Sequence, residues 1–377
     1  MTQTPRVLLA SSYSAHYRLG VWRELAASSL VDLDIATAQT AAGGHESDVE
    51  PIPAAELPQM RVHRTFRFGV FRWQPGLLRQ ACSRRYDIVV WDPAYRSLAV
   101  WMSSLLIRAR GVTLVFWGLG WTRGHSRSKE WAKVRAFRLA HGFLTYGRQS
   151  AQRAVEAGYP GDRLYVVGNS LVDSLAARGV AQAGLPEMTP LVLGTSLRLT
   201  ARKRVDLLIQ AAAALQSSGM DCRVVVVGEG PELAALQSLA QHLAVDARFL
   251  GAQYKPDQIA DFYSQVHLTV LPGHAGLTVV QSLMHGRPVV THDNPEGHAA
   301  EWEALRAGHS GAFFAEGDLA ALISTIGEVS RWIERDAAAV AARCRADYFI
   351  YGEPAAHAER ILHSVLSIHQ QKTLERA

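Results

Sequence analysis

The sequence predicts an α/β fold of two doubly wound parallel-sheet (Rossmann-like) domains facing a cleft, and three observations carry that expectation. Short apolar runs recur along the chain, each separated from the next by helical or loop material, as expected of strands buried on both faces of a parallel sheet. The pattern pauses over Arg178 to Pro190, where Gly179, Gly184, Pro186 and Pro190 make the best linker. The length, 377 residues, suits two domains with ample cores. The expected domains are residues 1–180 and 187–350.

Before the linker, Val7 to Ala10, Leu33 to Ala36, Ile88 to Trp91, Leu114 to Trp117, Phe143 to Tyr146 and Leu164 to Val167 read as short strands. After it, strand Leu191 to Leu193 opens a second run: helix Val205 to Ser217, strand Arg223 to Val227, helix Leu233 to Leu243 and strand Ala247 to Leu250. Helix Pro256 to Tyr263 and strand Leu268 to Leu271 follow, and short helices are expected to the end. Ligands of such sheets bind beyond the carboxyl ends of the strands, which is where two facing sheets define a cleft.

Composition narrows the class. The chain is 48% hydrophobic and 19% charged, as in an ordinary soluble protein. Its three cysteines, Cys82, Cys222 and Cys344, lie far apart and form no zinc spacing, which fits a reducing compartment. Met1 to Pro5 passes straight into Arg6-Val7-Leu8-Leu9-Ala10 without a signal-peptide pattern, so a cytoplasmic location is expected. Leu98 to Trp121 is broken by Arg108, Arg110 and Gly111 and reads as helix, turn and strand. The net charge of +5 favours anionic partners. Within Arg61 to Arg85, seven arginines interleave with Phe66, Phe68, Phe71 and Trp73, a mixture that suits peripheral contact with a bilayer carrying anionic headgroups or lipid-linked phosphates. A solvated basic helix with aromatics in the core is the alternative. No nucleic-acid partner is expected, because no recognition-helix, zinc-finger or RNA-binding pattern accompanies the charge.

The most informative stretch is Pro272 to Val290. An apolar run ends at Pro272-Gly273, a helix opens near Gly276, Gly286 closes it, and Pro288-Val289-Val290 starts another strand. A helix N-terminus at the carboxyl end of a strand suits an anionic group, and glycines let a ligand approach the backbone. Gly-rich turns also shape α/β proteins that bind nothing there, so spacing alone leaves both readings open. Upstream, Arg198, Arg202, Lys203 and Arg204 crowd one loop beyond a strand end and point to an anion held nearby. Val227-Gly228-Glu229-Gly230-Pro231 forms a strand-to-helix turn, and Ser11 to Arg18 follows the first strand in the same way.

These segments resemble glycosyltransferase family 4, and within it a subset of bacterial surface-polysaccharide enzymes. Pro272-Gly273, Gly276-Leu277, Gln281-Ser282-Leu283 and Thr291-His292-Asp293-Asn294 match that subset, while Glu301-Trp302-Glu303-Ala304-Leu305 resembles a later element of it. Arg198 and Lys203 stand five apart as in the family's Gly-Arg-Leu-x-x-x-Lys segment, and Gly228 and Gly230 match its Gly-x-Gly-Pro turn. Tyr17-Arg18, Trp117-Gly118-Leu119-Gly120-Trp121 and Asn169-Ser170 with Asp173 resemble elements of the first domain. The chain departs from the family where Gly273 and Gln281 replace two glutamates and Leu119 replaces a histidine.

The resemblance implies a GT-B fold in which the last helix, expected over Ala355 to Gln371, returns to the first domain, so that 351–377 packs with residues 1–180. It implies a retaining, metal-independent hexosyltransferase of polysaccharide biosynthesis. The donor would be a nucleotide diphosphate sugar, with no other cofactor, and the acceptor a glycan or a lipid-linked glycan at the inner face of the membrane. By the same resemblance Arg198, Lys203 and His274 are catalytic candidates, and Gly228, Gly230, Gly276, Leu277, Thr278 and Gln281 contact the donor. His16, Tyr17, Arg18 and Trp117 lie on the acceptor side. Two rivals remain: a non-catalytic GT-B protein that binds sugar or lipid, and a sugar-nucleotide epimerase.

Overall fold

A computed structural model describes residues 4–39, 51–121, 127–171 and 184–375. The chain divides into two units, Met1–Val172 with Pro354–Ala377, and Asp173–Glu353. Part of the linker and Asp173 lie outside the described residues.

The first unit is built on a seven-stranded sheet. Its strands are β1 (Arg6–Ser11), β2 (Asp32–Gln39), β3 (Met60–Arg64), β6 (Ile88–Trp91), β7 (Thr113–Gly118), β8 (Gly142–Thr145) and β9 (Leu164–Val166). They run parallel in the order β3-β2-β1-β6-β7-β8-β9. The order reverses between β1 and β6, which leaves a crevice beyond their carboxyl ends. β6 and β7 are buried along their whole length, and this accounts for their continuous apolar sequences.

Two features of this unit escaped the sequence reading. β3 is an edge strand in which Met60 alone is buried, so Met-Arg-Val-His-Arg carries almost no apolar signal. It leads into a separate hairpin, β4 (Phe66–Phe68) and β5 (Phe71–Trp73), turning at Gly69 with φ +58°. The arginine-rich segment is therefore strand, hairpin and the short helix α2 (Pro75–Ala81), and the solvated-helix alternative does not describe it. Helix α3 (Leu98–Ala109) follows β6, its N-terminus capped by Ser97, and α4 (Arg127–Phe137) and α5 (Arg148–Glu156) complete this half of the chain after α1 (Leu19–Ala27).

The second unit repeats the plan with six parallel strands: β10 (Leu191–Ser196), β11 (Cys222–Val227), β12 (Ala247–Phe249), β13 (Leu268–Leu271), β14 (Val289–His292) and β15 (Gly311–Phe314). Their order is β12-β11-β10-β13-β14-β15, so the reversal lies between β10 and β13. Helices α6 (Val205–Ser217), α7 (Leu233–His242), α8 (Pro256–Gln265) and α9 (Thr278–Met284) connect them. Gly286, with φ +71°, ends α9, as its position in the sequence predicts.

The expected run of short helices at the end is instead a single 33-residue segment, α10 (Leu319–Tyr351), interrupted at Asp336. Asp336 adopts extended backbone and its carboxylate accepts from Ala339 N at 2.8 Å, so it caps the restarted helix. The last helix, α11 (Pro354–Leu374), belongs to the first unit. His369 Nδ1 lies 2.8 Å from Thr113 Oγ1, and Lys372 Nζ donates to Gly111 O. Gly142 is open for the same reason: a Cβ there would stand 2.4 Å from Ile368 Cδ1.

Candidate functional site

At the reversal point of the second sheet, three separate loops are tied together mainly through their backbones. The loop after β10 lies against the turn after β11, with Leu197 N donating to Val227 O at 3.0 Å and Leu199 N to Glu229 O at 2.8 Å. Gly228 (φ +136°) makes this approach possible, since a Cβ there would stand 1.8 Å from Leu197 O. At Gly230 the corresponding distance to Leu199 O is 2.1 Å. The two glycines therefore spend their missing side chains on this loop, and close approach of a ligand is not what requires them. Within the loop Leu199 is buried and Arg198 exposed.

The turn after β13 is held from both sides. Gly273 N donates to Lys203 O at 3.1 Å and His274 N to Arg202 O at 3.0 Å. A Cβ at Gly273 would lie 2.2 Å from Arg202 O, so the position where family 4 carries a glutamate is filled here by backbone. On the other side Ala275 N donates to His298 Nδ1 at 3.0 Å, and Ala299 N to Ala275 O at 2.9 Å. Three of the N–H groups expected to be open to an anion are thus used internally. Among the described residues those of Gly276 and Leu277, just before α9, make no hydrogen bond.

Lys203 and His274 meet in this turn. The ammonium donates to His274 O at 2.7 Å and to His274 Nδ1 at 3.2 Å, which leaves its third N–H. Burial, reinforced by Arg202 and opposed by Glu301, pushes the lysine down to about 8. Burial and the cations Lys203 and Arg202 push His274 down to about 4. The imidazole is therefore neutral at physiological pH, with Nδ1 toward Lys203 and its proton on Nε2. Such a ring can donate a hydrogen bond but is a poor general base.

Thr278 and Gln281 face protein groups. Thr278 Oγ1 donates to Ser196 O at 2.5 Å and latches α9 to the end of β10, while Gln281 Oε1 accepts from the buried hydroxyl of Tyr263 at 3.4 Å. Arg202 and Arg204 are exposed, and Arg204 pairs with Asp206 at 3.0 Å. Two contributors were not legible beforehand. Glu301, in the segment after the loop that follows β14, is buried. His292 and His298 stack at 3.9 Å, and His298 Nε2 donates to His292 O at 2.9 Å, bracing the turn. His292 stood in a recognisable motif, but a lone loop histidine such as His298 gives no spacing signal that would have found its stacking on His292.

In the corresponding region of the first unit side chains take a larger share, beside a backbone bond from Ile52 N to Ser14 O at 2.9 Å. Ser12 N and Ser12 Oγ donate to Asp92 Oδ1 at 2.8 and 3.1 Å, joining the loop after β1 to the end of β6. Arg18 donates to the Tyr146 hydroxyl and lies over the Trp117 ring, 5.3 Å from its centroid. Trp117, expected to meet an acceptor, is 3% exposed because β7 is covered on both faces. It is a floor for Arg18 and not a contact surface. Its other neighbour is His357 from α11, edge-on at 5.8 Å, whose Nδ1 lies 2.9 Å from Ser170 Oγ. Burial, with Arg360 and Arg18 nearby, holds His357 neutral. His16 and Tyr17 are half-buried, His16 lying 4.0 Å from Glu56, and Leu119 is exposed. Among the described residues no group of His, Cys, Asp and Glu could hold a metal ion.

Residues 190–331 match the family model for glycosyl transferases group 1. The chain is 36% identical over 96 residues to a GDP-mannose-dependent alpha-(1-6)-phosphatidylinositol dimannoside mannosyltransferase of Mycobacterium tuberculosis, covering 25% of each chain. It is 32% identical over 112 residues to the alpha-D-kanosaminyltransferase of Streptomyces kanamyceticus, covering 28% of each. The chain thus spans about a quarter of the length of the curated relatives it matches. Among solved structures, the lipopolysaccharide outer core galactosyltransferase WaaB superposes with a TM-score of 0.70 at 12% identity over 96% of this chain and 99% of that one. Anabaena HepE in complex with UDP and glucose gives 0.62 at 16% identity over the full length of both. These likenesses establish the fold.

Proposed function

We propose that this chain, a family 4-like protein of the GT-B glycosyltransferase fold, moves a sugar from a nucleotide diphosphate donor to a glycan or lipid-linked acceptor with retention of configuration and without a metal. The observation that carries the reading is the joining of the Arg198–Lys203 loop to the Gly273–Leu277 turn at the reversal point of the second sheet. There the third N–H of Lys203, the N–H groups of Gly276 and Leu277, and His274 Nε2–H are the donors available to a departing diphosphate, and Arg198 adds its charge nearby. An anion bound beside Lys203 keeps the lysine charged, and the charge stabilises the leaving group as its bond to the sugar breaks. The same phosphate accepts the proton of the incoming hydroxyl on the face it leaves, so no protein nucleophile is needed.

The acceptor would come to the first unit, whose surface supports work at a bilayer. Phe66, Phe68, Val70 and Phe71 are exposed on the β4–β5 hairpin, and Leu98, Met102, Leu105 and Leu106 on α3, whose lead-in is joined to β5 by the bond from Arg72 N to Arg96 O. Arginines flank both, a combination suited to anionic headgroups at the inner face of a membrane. No described helix is long and apolar enough to cross a membrane.

Titration with UDP, GDP and ADP, followed by consumption of the matching sugar donor in the presence of candidate acceptors, tests the proposal. Gly273 gives the rival its best support, because backbone occupies the space a family glutamate would need. Nucleotide binding without turnover for any acceptor would favour the non-catalytic reading, and donor conversion without acceptor would favour the epimerase.

A further inference from the structure

A cavity in the first unit lies within the arginine-rich segment, beside the hairpin assigned above to the bilayer surface, and it has a geometry of its own. About 580 Å³ in volume, it opens between β3, α2 and the approach to β6, with Arg61, Arg79 and Arg85 among its lining residues and His63, Gln80 and Tyr86 beside them. Its charge is mostly uncompensated. Arg85 pairs with Asp34 at 3.4 Å, whereas Arg61 and Arg79 form no ion pair among the described residues.

The polar wall beside the arginines has a fixed direction. Tyr86 OH donates to the Asp34 carboxylate at 2.5 Å, so its oxygen is left to accept from Gln80 Nε2 at 3.2 Å. That orientation turns Gln80 Oε1 toward His63 Nε2, 2.8 Å away, and His63 must donate. Gln80 and Tyr86 are buried, at 9% and 5% exposure, so the chain of bonds is held by packing. Gly76 belongs to the same construction: a Cβ there would stand 2.3 Å from His63 Nδ1 and displace the ring. A rigid polar wall with two free guanidinium groups is the chemistry that recognises a phosphate, by charge and by paired N–H donors.

We propose that this cavity binds a phosphate-bearing ligand through Arg61 and Arg79, against the wall that His63, Gln80 and Tyr86 hold in place. The shared chemistry is the phosphate group, carried either by a soluble molecule or by a lipid headgroup. The test uses the full chain, preincubated with excess nucleotide so that the donor region is filled. Inorganic pyrophosphate is titrated calorimetrically, and in parallel phosphatidylcholine vesicles with and without phosphatidic acid are co-sedimented.

Wild-type protein is expected to bind at least one probe, and Arg61→Gln/Arg79→Gln to weaken that binding by about tenfold or more, with salt weakening the wild type in the same way. Gly76→Ala should weaken it less, by evicting His63 without removing charge. An Arg331→Gln/Arg335→Gln variant removes equal charge elsewhere and should bind as wild type. Pyrophosphate binding alone assigns a soluble ligand, and vesicle binding that needs phosphatidic acid assigns a headgroup. Absence of binding to both probes, or binding that Arg61→Gln/Arg79→Gln leaves unchanged or that falls equally in the control, overturns the proposal. Nucleotide affinity, measured in the same variants, reports separately on the donor reading.

Discussion

The two units share one strand order and solve the same local problem differently. In the second, the loops at the reversal point are tied backbone to backbone through Gly228, Gly230 and Gly273. In the first, the equivalent loop leans more on side chains, the Asp92 carboxylate and Arg18 stacked on Trp117, with the bond from Ile52 N to Ser14 O beside them. Backbone joints tolerate almost no substitution at the contact, whereas side-chain joints can be rebuilt from other residues. Under the function proposed above, a half that grips an invariant diphosphate would gain from the first arrangement, and a half that meets a variable acceptor would gain from the second.

Lys203→Ala should break the comparison most strongly. Turnover is expected to fall by roughly 10²–10³, the usual loss for a donor that stabilises developing charge, with the fold intact by circular dichroism; near-wild-type turnover would remove the second unit's claim to the chemistry. Gly228→Ala should follow, since it combines a positive φ with a contact to Leu197 O. A loss of about 2–4 kcal/mol in unfolding free energy is expected, and a variant as stable as wild type would mean the joint is not rigid.

The pH dependence sharpens the same point. Lys203 is charged below its pKa of about 8, so donor KM should be flat there and rise as pH climbs through it. Glu301 opposes that lowering, and Glu301→Gln should move the rise to more acid pH. A profile that does not shift would separate Glu301 from the site. The smallest effect on chemistry is expected from Phe68→Ser/Phe71→Ser on the hairpin. Vesicle co-sedimentation should drop several-fold while nucleotide affinity stays constant, and loss of both would point to misfolding instead.

What could be read from sequence follows the same division. The strands buried on both faces, Ile88 to Trp91 and Leu268 to Leu271, announce themselves because all their residues but Thr269 are apolar. Edge strand β3 and the β4–β5 hairpin do not, as their stability comes from pairing and a turn at Gly69 and not from burial. Within the site, Arg198, Lys203 and the glycines were visible as a spacing. His298 was not, because it reaches Ala275 from an element distant in sequence, and Glu301, though part of a recognisable segment, gave no sign of its burial near Lys203. Thr278 illustrates a subtler limit: position on a helix was legible, but the hydroxyl's bond to Ser196 O depends on β10 ending beside it.

The vacancy at Gly142 that admits Ile368 has a consequence for synthesis. A ribosome delivers the first unit's sheet early and its final covering piece after the whole second unit, so the nascent N-terminal half waits with that face bare. Removing α11 should therefore harm the half that is made first, leaving Asp173–Glu353 able to reach its own structure.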